Sequence, residues 1–275
     1  MRAILLHRAL TAEQVVRLFF KSGSLTYVRH HLFELAHKDN KYLSRVLLPH
    51  VKPGSSPYLY SLGTRGISYL SDRDMYIPGY KAFTSANYNI DQHFLTINDF
   101  AIAARLLPTL TPDVTLTSFL HEWQLKKHPV TALIDNKEIS REPDLWLDFQ
   151  VLAGSKKTPL PMPIWVEIDR GSGWGKKFKD KLRDIVLLIT ERAWQTRFGV
   201  KHITVAFATS GTEKRRDLMR IHMKTVLEEL GKERFSHVFL FANLPQDADP
   251  KTIFLSPLWY TPTSDIPLSL LDMSD

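Results

Sequence analysis

The chain has 275 residues and 44% hydrophobic content, enough to bury a core in one large domain or two modest ones. It contains no cysteine, which excludes disulfides, thiolate metal sites and cysteine nucleophiles. No apolar run is long enough to cross a bilayer, so the expectation is a cytoplasmic protein without a membrane partner.

The formal charge of +7 is uneven, because residues 1–90 hold 12 Lys and Arg against 5 Asp and Glu while residues 91–275 hold 24 against 24. A basic first third predicts a module that meets a polyanion, most simply nucleic acid, joined to a neutral module with another task.

Apolar positions recur at helical spacing in residues 2–9 and 12–20, and Thr11 with Gln14 three places on forms a capping box. KSGS at 21–24 makes a tight connection, with Gly23 free to take a positive φ and Ser24 placed to cap the next helix. In LTYVRHHLFELAHK, Leu25, Val28, Leu32 and Leu35 share a face, leaving Thr26, Tyr27, Arg29, His30 and Lys38 outward. YLSRVLLPH and SPYLYSL read as strands of a hairpin turned at Pro53 and Gly54, and GTRGISYL as a short helix. Three helices and a hairpin predict a winged helix-turn-helix over residues 1–75. Its recognition helix would enter a groove of double-stranded DNA while Arg45, His50 and Lys52 touch phosphates. Such units also dock proteins, but the local charge favours DNA.

Residues 76–92 read as a linker, and residues 93–260 as an α/β domain with a central mixed sheet flanked by helices, α+β for the chain overall. A helix is predicted at about 93–107 and strands at VTLTSFLHEWQL, DLWLDFQVL and IWVEID. A helix over 176–197, the strand HITVAFAT, a helix ending at Gly231 and the strand HVFLFAN follow. KTIFLSPLWY reads as an edge strand, and the proline-rich residues 261–275 as a flexible tail.

Glu167 and Asp169, two places apart on a strand, share one face. Pro143-Asp144 before one strand and Glu167-Ile168-Asp169 on the next resemble the PD-(D/E)xK phosphodiesterase core, which implies a site where carboxylates hold a metal ion and positive charge lies near the phosphate. Asp144 and Glu167 supply the minimum metal pair, with Glu122 and Asp169 as further oxygens, and hard oxygen ligands favour Mg²⁺ or Mn²⁺ over zinc. Lys177 and Lys181, one turn apart on the next helix, are the lysines that can reach back. The alternative use of these acids is an ion-pair network with Arg141, Lys177 or Lys181. His93 and His121 read as packing residues, and GSGWGKK lacks the spacing of a nucleotide loop, so no organic cofactor is expected.

The order of elements fits the PD-(D/E)xK core as well, but Asp169 stands where that family has its lysine. Together with LTAEQVVRLFF, YLYSLGTRGISYL, QHFLTIND, HEW, REPDLWL and WVEIDRG followed by KKFKDKLRDI, the chain resembles the replication-relaxation family of plasmid and mobile-element proteins. The resemblance implies a DNA reader joined to a nuclease-like domain. That domain is either a magnesium-dependent endonuclease or nickase, or an inactive module of a replication or transcription regulator. A homodimer or a replication or mobile-element protein is the partner implied beside DNA.

Overall fold

The computed structural model describes residues 1–49, 57–83, 88–152, 158–169, 175–245 and 248–273. The chain is mixed α/β and divides into two compact units, Met1–Ile102 and Ala103–Asp275.

The first unit runs α1 (Arg2–Leu6), β1 (Ala9–Thr11), α2 (Ala12–Phe19), α3 (Leu25–Leu35), β2 (Leu43–Leu47), β3 (Tyr58–Leu62) and α4 (Thr64–Ser71). The predicted capping box forms, with the Thr11 side chain accepting from the Gln14 N–H and the Gln14 side chain accepting from the Thr11 N–H. Gly23 takes φ 91°, the left-handed turn that brings α3 back across α2. Ser24 stands at the N-cap of α3, but its side chain makes no capping bond. Val28 and Leu32 are buried and Thr26, Tyr27, Arg29 and His30 are exposed, as the helical spacing requires.

The strands form one antiparallel sheet in the order β1-β3-β2. β1 replaces the end of the helix expected over residues 2–9, because Ala9, Leu10 and Thr11 pair with Ser61, Tyr60 and Leu59. The hairpin turn, with His50, Lys52, Pro53 and Gly54, lies outside the described residues.

Part of the segment read as a linker belongs to this unit. Tyr80 is buried, its hydroxyl donating to the Arg8 carbonyl at 2.7 Å and accepting from the Leu62 N–H at 2.8 Å. Phe83 packs with Ala9, Leu48, Leu59 and Phe94.

A long helix, α5 (Tyr88–Leu110), precedes the second sheet. Then come β4 (Val114–His121), α6 (Glu122–Leu125), the hairpin β5 (Val130–Ile134) and β6 (Lys137–Arg141), β7 (Leu145–Val151) and β8 (Leu160–Asp169). They are followed by α7 (Lys176–Thr190), α8 (Ala193–Phe198), β9 (Thr204–Thr209), α9 (Glu213–Leu230), β10 (Phe239–Asn243) and α10 (Pro250–Leu255).

The five-stranded sheet has the order β10-β9-β8-β7-β4, parallel from β10 to β8 and antiparallel from β8 to β4. β8 is its centre, with Ile164, Trp165, Val166 and Ile168 all buried, which is why its sequence is apolar on both faces. One face carries Trp146, Trp165, Phe207 and Phe241 against Leu182, Ile185 and Ile189 of α7 and Met219, Met223 and Val226 of α9.

Three expectations are corrected in this unit. The helix expected over 176–197 is broken at Arg192, whose φ of 57° ends α7 and starts α8. KTIFL is helical, not extended, because Asp249 caps α10 through the N–H groups of Lys251 and Thr252 with Pro250 at the first turn. Residues 261–273 are held down, with Leu270 and Leu271 buried, Leu271 N–H bonded to the Phe254 carbonyl, and Arg220 donating to the carbonyls of Thr261 and Ser264. No described helix is long and apolar enough to cross a membrane.

Candidate functional site

The antiparallel registers bring the acids together at one end of the second sheet. Leu145 faces Val166, so one step further Asp144 faces Glu167, and the Asp144 N–H donates to the Val166 carbonyl to continue the ladder. His121 faces Leu145, so Glu122 falls beside Asp144, and the Glu122 N–H donates to the Asp144 carbonyl. Three acids from three separate segments thus stand in one lateral row of backbone. Like charges directly opposite each other on a sheet repel, so the row needs positive charge or protons.

The side chains meet that need unequally. Glu167 is 3% exposed, and its Oε1 accepts from the Trp165 indole N–H at 2.6 Å. Its Oε2 lies 2.5 Å from Nζ of Lys181, which reaches in from α7. Burial, with the charge of Asp144, pushes the Glu167 carboxyl above the ordinary range, and Lys181 opposes that push. Burial also works against the Lys181 ammonium, but the charges of Glu167 and Asp144 outweigh it and hold its pKa above the usual lysine value. Asp144 is nearly buried, and its Oδ2 accepts from the Ile168 N–H at 2.7 Å, which fixes that carboxylate beside β8.

The other predicted residues are placed elsewhere. Glu122 opens α6 instead of ending β4, and its carboxylate pairs with Lys126 one turn on. Asp169 shares the face of Glu167 but is held by Arg215 of α9, through Nε and Nη2 at 2.7 Å each. Lys177 is exposed in the first turn of α7, and Arg141 pairs with Asp184. Among the described residues no group of three or more His, Asp or Glu gathers to hold a metal ion. His121 is buried and accepts from the Trp123 N–H at the start of α6, a capping role.

Two partners of this cluster escaped the sequence reading. Trp165 was legible in principle, standing two places before Glu167 on the same face of β8. Arg215 was not, since 46 residues separate it from Asp169 and only the parallel β8-β9 connection brings them together.

On the first unit, Thr26, Tyr27, Arg29 and His30 share the outer face of α3. Arg29 pairs with Glu13 at 2.6 Å, which orients its guanidinium along the surface. Arg45 on β2 is stacked between Phe33, at 3.9 Å, and Tyr58, at 4.8 Å. Lys52 is outside the described residues.

In comparison with known proteins, the family model described as Replication-relaxation matches residues 1–204. No curated protein and no solved structure matches the chain.

Proposed function

Because the chain belongs to the replication-relaxation family, we propose that it binds DNA during replication of a plasmid or other mobile element and acts on its phosphodiesters. In this reading the first unit is a winged helix, with Thr26, Tyr27, Arg29 and His30 at the groove and Arg45 and Lys52 at phosphates. The second is a nuclease-like domain of PD-(D/E)xK type whose lysine comes from a helix. The observation that carries it is Lys181 Nζ at 2.5 Å from Glu167 Oε2, with Asp144 opposite on the neighbouring strand.

The donor set fits a hard divalent cation. Asp144 and Glu167 are neighbouring oxygen donors whose mutual repulsion such an ion relieves, and Mg²⁺ commonly takes one or two carboxylates and keeps its waters. Asp144 and Glu167 would hold Mg²⁺ or Mn²⁺, while Glu122 is engaged by Lys126. When bound, the ion would supply an acidified water and charge for the phosphate oxygens. Lys181 keeps a fixed ammonium at the same point, where charge builds up on an attacked phosphate. Asp169, held by Arg215, anchors the end of β8.

A second reading, a replication or transcription regulator without catalysis, is favoured by one fact: Glu167 already accepts from the Trp165 indole and is ion-paired with Lys181. Incubation with supercoiled plasmid and Mg²⁺ or Mn²⁺ decides. Nicking by the native chain that is lost in Asp144→Asn and in Lys181→Met supports the nuclease. Intact plasmid under every metal condition, together with retained DNA binding, supports the regulator.

A further inference from the structure

Exposed aromatic rings gather where α2 ends and α3 begins. Phe19, Phe20 and Tyr27 are 56%, 44% and 59% exposed at the end of α2 and the start of α3. The Tyr27 ring lies 6.3 Å from Phe20 and 4.2 Å from His31, and His31 lies 5.8 Å from His30. These rings form a strip, and Lys21 and Arg29 of the same segment are exposed, Arg29 in its pair with Glu13.

Contiguous apolar surface left in water marks a contact, and the charge around it says with what. The excess of Lys and Arg over acids in this unit suits a polyanion. A paired duplex hides its base faces in the stack and shows only base edges and phosphates, which leaves aromatic faces with nothing to cover them. Unpaired bases offer both a π-face for each ring and a phosphate for each cation. We infer that the strip of Phe20, Tyr27 and His31 is a stacking site for the unpaired bases of single-stranded DNA. The inference rests on the DNA reading above and makes it narrower: the first unit holds an opened strand as well as, or in place of, a duplex.

The test uses the full chain with fluorescein-labelled oligo-dT and a labelled duplex, followed by anisotropy. Phe20→Leu keeps apolar bulk without a π-face, while Phe20→Tyr keeps the ring. Loss of about tenfold in oligo-dT affinity for Phe20→Leu, with Phe20→Tyr and all duplex affinities within about twofold of the native chain, is the expected result. Equal losses on both ligands, or unchanged oligo-dT binding in the Phe20→Leu, Tyr27→Leu double variant, would overturn the stacking site. So would self-association that disappears in Phe20→Leu while oligo-dT binding persists, since that assigns the strip to a protein contact. Duplex binding without oligo-dT binding defeats the stacking site alone, whereas binding to neither defeats the DNA reading with it.

Discussion

Glu167 lies within a buried sheet, opposite a second acid, and this local conflict organises the second unit. Removing its cation should expose the conflict. Lys181→Met is expected to cost about 2–3 kcal/mol at neutral pH, less than a fully buried pair because much of the lysine side chain stays in water. Urea unfolding would measure it. The deficit should shrink as pH falls, because a Glu167 carboxyl already raised by burial takes up a proton once its partner is gone. The native lysine behaves oppositely. Its folded pKa is raised, so its contribution is complete below the ordinary lysine value of 10.5 and is lost only as pH rises beyond it.

Tyr80 offers a separate check at this scale. Burial pushes its hydroxyl up to about 12. The stability it adds is therefore full below the ordinary value of 10.0 and lost as pH rises through about 12. Absorbance titration should show late-ionising tyrosines, since burial raises Tyr60 as well, and Tyr80→Phe should remove one of them.

Among single residues, the shared face of Glu167 and Asp169 could be read from the sequence because alternation along a strand is a local rule, while Asp144 was singled out by the resemblance through Pro143-Asp144. The choice of Lys181 over Lys177 could not, since it depends on how α7 sits on the sheet.

Elements were legible where periodicity or caps were strong. The capping box at Thr11, the left-handed glycines Gly23 and Gly231 at the ends of turns and helices, and the apolar run of β8 are each dictated by a few adjacent residues. β1 was not, because three residues carry no period and their conformation comes from pairing with β3. The β5-β6 hairpin did have a signal, Asp135-Asn136, which takes φ 50° and 61° as a two-residue turn of the kind that suits strand twist.

The start of α4 supports a sharper prediction. A Cβ on Gly66 would lie 2.1 Å from the Tyr42 carbonyl oxygen, and backbone cannot give way as a side chain can. Gly66→Ala, which in an exposed helix would stabilise by about 1 kcal/mol, should instead destabilise by about 1–3 kcal/mol through overpacking. Thermal unfolding checks the sign.

Across the whole molecule the sequence separates charge from acid chemistry. The net +7 is confined to the first third, and the coupled acids lie in the second unit. DNA affinity should accordingly fall steeply with salt, by orders of magnitude between about 50 and 200 mM if several phosphates are neutralised. Gel shifts at graded salt test this.

The C-terminal segment was misjudged from its prolines because composition does not reveal anchoring by Arg220 or the buried Leu270 and Leu271. Truncation after Tyr260 should therefore lower the unfolding temperature of the chain.

Titrating Mn²⁺ into the native chain, with the free ion followed by electron paramagnetic resonance, tests most directly whether the acids opposed across β7 and β8 form one cation site. Saturable binding that disappears in both Asp144→Asn and Glu167→Gln is the result expected. No binding by the native chain, or equal binding by all three proteins, would contradict it.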